Sequence, residues 1–84
     1  PAGVRLTAGP SLDALRLSWS LMTERNSAEL SALEPRYVVG NTPSAPFILI
    51  AGPLRSGEDA KTLCANLLRK GIPCSVDTFT GNAL

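Results

Sequence analysis

Cys64 and Cys74 are the residues of this chain best suited to covalent chemistry, and they are its only cysteines. They could join as a disulfide. They do not make a zinc site, because two thiols need two further ligands and the chain has no histidine to supply them. The lack of histidine also removes the commonest general base. The seven carboxylates include no pair set inside an apolar stretch that would tune one of them as an acid. No glycine-rich loop offers a row of free amides to a phosphate, since each Ala-Gly-Pro segment contains a proline. This inventory argues against an enzyme, a metal centre and a bound cofactor.

The elements that position the remaining side chains come from a duplicated pattern. Val4-Arg5-Leu6-Thr7-Ala8-Gly9-Pro10 precedes Asp13-Ala14, Leu17 and Leu21. Phe47-Ile48-Leu49-Ile50-Ala51-Gly52-Pro53 precedes Asp59-Ala60, Leu63 and Leu67. Each copy has an apolar run, an Ala-Gly-Pro stop, an acidic-Ala pair and leucines four apart, so the chain is read as a repeat. Val4, Leu6 and Ala8 alternate with Arg5 and Thr7 as in a strand with one covered face. Ser11 is a candidate N-cap, and the helix after it places Ala14, Leu17, Ser18 and Leu21 on one stripe, flanked by Leu15, Trp19 and Met22. Asn26 weakens that helix, and a short turn over residues 28–33 ends at Pro35.

Arg36–Val39 reads as a second strand whose phase, at Tyr37 and Val38, the pattern leaves open. Residues 40–44 form a turn and Phe47–Ala51 a third strand. Ser56 and Asp59 resemble a capping box. The helix beyond carries Ala60, Leu63, Cys64, Leu67 and Leu68, and Gly71 suits the left-handed position that follows. Cys74–Phe79 reads as the last strand, with residues 80–82 fraying. The result is an α+β fold in the order βαββαβ: a four-stranded antiparallel sheet with both helices on one face. The other face stays open. Arg5, Thr7, Ile48, Ile50, Ser75 and Phe79 fall on it, while Leu6, Leu49, Cys74, Val76 and Thr78 point to the helices.

This geometry points Cys64 and Cys74 into the same narrow space between helix and sheet. Two readings follow. A disulfide would contribute roughly 2–3 kcal/mol by loop closure and imply an oxidising compartment. Otherwise the two would be buried thiols packing as small hydrophobes. Trp19 reads as core with its N–H at the rim. Tyr37 and Phe79 are candidates to stack on a ligand or to pack within the sheet. Ile48 and Ile50 form an apolar patch to be covered by a ligand, a partner or flanking chain. Arg5 is its polar anchor, or else a solvated charge.

At 84 residues the chain is one domain, residues 1–84, with a net charge of +1 that attracts neither nucleic acid nor anionic membrane. No apolar run reaches the ~20 residues of a membrane helix. The start at Pro1 is read as that of a fragment from a longer protein.

The second half resembles the SPOR domain, the sporulation-related repeat that binds peptidoglycan. Phe47-Ile48-Leu49-Ile50-Ala51-Gly52-Pro53-Leu54 is similar to that family's aromatic-x-Val-x-Val-Gly-Pro-Phe strand. Glu58-Asp59-Ala60, Leu63, Leu67 and Gly71 follow its helix, and residues 72–76 its last strand. Val4-Arg5-Leu6 stands where the family has Val-Gln-Leu, with Arg5 in place of glutamine. The paired cysteines and the long first helix with Trp19 look like the variant of alphaproteobacterial type. The resemblance implies a ferredoxin-like, RNP-like layout in the periplasm of a bacterial envelope protein, often at the division site. It implies binding of glycan strands stripped of their stem peptides on the open face, through Arg5, Thr7, Ile48, Ile50, Ser75 and Phe79. Partners would be peptidoglycan and other envelope or division proteins, with any membrane anchor elsewhere in the parent. Two alternatives are a protein-interaction module using the open face and a small-molecule regulatory domain. RNA binding is disfavoured, because the strand aromatics and basic surplus of an RNA-recognition module are missing.

Overall fold

A computed structural model describes residues 1–84. Strand β1 (Ala2–Gly9) leads through Pro10 into α1 (Leu12–Arg25), which Ser11 caps by accepting the Ala14 N–H at 3.1 Å. Buried Asn26 closes α1, its backbone N–H and its Nδ2 both donating to the Met22 carbonyl. One further turn, α2 (Ser27–Leu30), brings Leu30 into the core. Strands β2 (Glu34–Val39) and β3 (Phe47–Leu54) follow, then α3 (Gly57–Arg69), capped by Ser56 Oγ accepting the Asp59 N–H at 3.1 Å. Gly71, at φ 79°, donates to the Leu68 carbonyl and Ile72 to that of Leu67, a Schellman close to α3. Strands β4 (Ser75–Thr78) and β5 (Asn82–Ala83) end the chain.

The fold is α+β, but the antiparallel sheet has five strands rather than four, in the order β4-β1-β3-β2-β5. The extra strand comes from the segment expected to fray: Asn82 pairs with Tyr37 and Ala83 with Arg36. The helices lie on one face. Val4, Leu6, Leu49 and Ala51 of the sheet meet Leu15, Leu30, Ala60, Leu63 and Leu67 of the helices in a single core. Tyr37 and Phe47 pack against this core with their rings edge to face, 6.0 Å apart, which settles the phase of β2. Cys64 and Cys74 are joined, with Cα atoms 5.1 Å apart, tying α3 to the entrance of β4.

Two expectations of phase are corrected. In α1 the core side is Leu15, Trp19 and Met22, whereas Leu17 and Leu21 are 63% and 43% exposed. The two helix caps, Ser11 and Ser56, are 45 residues apart (56 − 11), but the Asp-Ala pairs are 46 apart (59 − 13). The repeat therefore slips by one residue inside the helix, a rotation of about 100°. Counted from the caps, Leu15, Trp19 and Met22 match Ala60, Cys64 and Leu67. In β1 the register moves from Arg5 opposite Ile50 to Ala8 opposite Ile48, so Leu6 and Thr7 share the single partner Leu49. This bulge turns Ala8 outward and sets Gly9, not Ala8, against α1.

Candidate functional site: the helix-free face of the sheet

Strand register arranges the helix-free face in rows. The central row reads Arg36–Ile50–Arg5–Ser75 across β2, β3, β1 and β4. The row toward the β2–β3 turn is Val38–Ile48–Ala8. The row at the other end has Glu34 and Asp77 at its sides and the glycines Gly52 and Gly3 between them.

Phe79 fills the space above these glycines. A Cβ on Gly52 would stand 2.8 Å from Phe79 Cδ1, and one on Gly3 would stand 3.1 Å from the Phe79 Cα and Cβ. The missing side chains form the seat of the ring, which is buried together with Ile48 and Ile50 in a second apolar cluster bordered by Val38. The Phe79 N–H donates to the Pro1 carbonyl at 3.0 Å. From there residues 79–81 cross the face to β2. Gly81, at φ 104°, passes so close to the Tyr37 carbonyl that a Cβ would overlap it. At the opposite end Gly40 lies against Ile48, where a Cβ would come within 2.7 Å of Cδ1. The apolar patch is thus covered by the chain itself, chiefly by Phe79.

The six residues placed on this face by the sequence divide accordingly. Ile48, Ile50 and Phe79 come together but are buried, forming a floor. Arg5 and Ser75 are exposed and are direct cross-strand partners. Thr7 is half-buried in the bulge, its Oγ1 donating to the Ala8 carbonyl at 3.5 Å. Tyr37, a stacking candidate, faces the helices instead.

Arg36 is the residue that sequence reasoning missed. It sits opposite Ile50, and its guanidinium carbon lies 4.1 Å from the centre of the Phe79 ring. The signal would have been the phase of β2, which no alternation within that strand reveals. Neither Arg5 nor Arg36 has an ion-pair partner; the two salt bridges of the molecule are Arg16–Asp13 and Lys70–Glu29. Asp77 spends one carboxylate oxygen on the Thr78 N–H at 2.7 Å.

Chemically, the face is a shallow platform. No pocket forms in the molecule. Hydrogen-bonding and charged groups, Arg5, Arg36, Ser75, Glu34 and Asp77, surround or overlie a closed apolar floor. Such a surface suits an extended polar ligand held by many hydrogen bonds. Compared with known protein families, curated protein sequences and solved structures, the chain matches none.

Proposed function

We propose that this chain is a non-catalytic module that binds peptidoglycan glycan strands stripped of stem peptides, in the periplasm of a bacterial envelope protein. The observation that carries the reading is the row Arg36–Ile50–Arg5–Ser75, in which three polar side chains on β2, β1 and β4 flank the buried Ile50 on an otherwise closed sheet face. A glycan chain is long and rich in hydroxyl and amide groups, and a stripe of donors and acceptors across several strands matches that shape. Three further features support it. The strand order β4-β1-β3-β2 fits a ferredoxin-like layout, here extended by β5. The Cys64–Cys74 disulfide suits an oxidising compartment such as the periplasm. The apolar patch that would serve a protein partner is occupied by Phe79, which favours a polar ligand over a protein-interaction surface.

Sedimentation with isolated sacculi, before and after amidase digestion, tests the proposal. The chain should pellet with digested sacculi and remain largely in solution with undigested ones. A chain that stays in the supernatant with both would end the glycan reading.

A further inference from the structure

Resting on that reading, we infer that Arg5 and Arg36 form a carboxylate-binding site, which recognises the lactyl carboxylate freed on a muramic acid ring when its peptide is removed. The two arginines flank Ile50 in one row. Two strand spacings separate their backbones by about 10 Å, so their long side chains can reach one group lying on the solvent side of the covered floor of Ile50 and Phe79. Neither guanidinium is committed to an acid of the chain itself. The nearest carboxylates on the face, Glu34 and Asp77, lie one row away; Glu34 forms no salt bridge and Asp77 is turned to the Thr78 amide.

Arg36 is held by its cation–π contact with Phe79, which restrains the guanidinium before any ligand arrives. The floor beneath is apolar, with Ile50 only 2% exposed. Charge-assisted hydrogen bonds from a guanidinium to a carboxylate are stronger beside such a surface than in open water. A planar, two-oxygen anion is the chemistry that two such forks match. The site therefore reads the charged group that amide linkage to a peptide removes and that stripping restores.

The test uses soluble glycan strands released by amidase, half of them carboxyl-reduced so that each lactyl acid becomes an alcohol. Binding of the 84-residue chain and of Arg5→Gln is measured by calorimetry at two salt concentrations. The native chain should bind acidic strands at least tenfold more tightly than reduced ones, with the difference shrinking at high salt. Arg5→Gln, an exposed substitution, should weaken binding to acidic strands far more than to reduced ones and so lose that preference. Equal binding of native chain to both strands, or an Arg5→Gln variant weakened alike on both, overturns the carboxylate site and leaves the glycan reading standing. Binding to neither strand overturns both.

Discussion

The guanidinium carbon of Arg36 lies 4.1 Å from the centre of the Phe79 ring, joining residues 43 apart (79 − 36) on the face away from the helices. The contact couples a charged side chain of β2 to the segment that leaves β4. It also explains how a sheet face with two isoleucines in its middle avoids exposing them: the ring covers the apolar centre and the arginine covers the ring.

The ring should therefore matter more to stability than its place near the chain end implies. Phe79→Ala is expected to cost about 3–4 kcal/mol, as for other buried aromatics. That is a large share of the ~5–15 kcal/mol available to a small domain. Gly52→Ala should cost about 1–3 kcal/mol by forcing the ring from its seat. It should cost much less when introduced into Phe79→Ala. Urea denaturation of the two single variants and the double variant checks this; simple additivity would refute the seat.

Reduction of Cys64–Cys74 opens a link between residues ten apart, and should lower stability by about 2–3 kcal/mol without abolishing the fold. The core of α3 also rests on Ala60, Leu63 and Leu67, which reduction leaves in place. Denaturation midpoints with and without reductant, alongside thiol titration, measure the effect. Unchanged midpoints after complete reduction would count against it.

Asp77 protects a sheet edge. The Phe79–Pro1 hydrogen bond sets the alternation of the antiparallel ladder, so the amides of Val76 and Thr78 point away from β1. The Asp77 carboxylate takes the Thr78 amide and adds a charge to that free edge. Asp77→Ala should increase self-association while changing stability by about 1 kcal/mol or less. Sedimentation velocity over a concentration series reads this directly, and a variant as monomeric as its parent would contradict the role.

The orientation of α1 can be tested by two substitutions on opposite sides. Leu15→Ala should cost about 2–5 kcal/mol, because Leu15 is fully buried. Leu17→Gln should stay within about 0.5 kcal/mol, as expected at a solvent-facing position. Thermal unfolding followed by circular dichroism separates them, and a reversed ranking would restore the stripe read from the repeat.

The amino-acid sequence by itself determined the βα and αβ alternation, both serine caps, the Gly71 stop, the α3 stripe of Ala60, Leu63, Cys64 and Leu67 (but not Leu68, which is exposed), and the shared face of Arg5, Ile48 and Ile50. These depend on periodicity and hydrogen bonds within a turn or two of chain, where residue type acts directly on the backbone. Only the tertiary structure decided the rotation of α1, the outward turn of Ala8, the place of Arg36 and the cover over the isoleucines. The one-residue slip between the caps and the Asp-Ala pairs is present in the sequence, but the core chose which of the two phases to bury. The bulge at Leu6 and Thr7 exists only in relation to β3. Phe79 finds its seat because strand pairing brings Gly3 and Gly52 together, 49 residues apart along the chain (52 − 3), and no local pattern records that meeting.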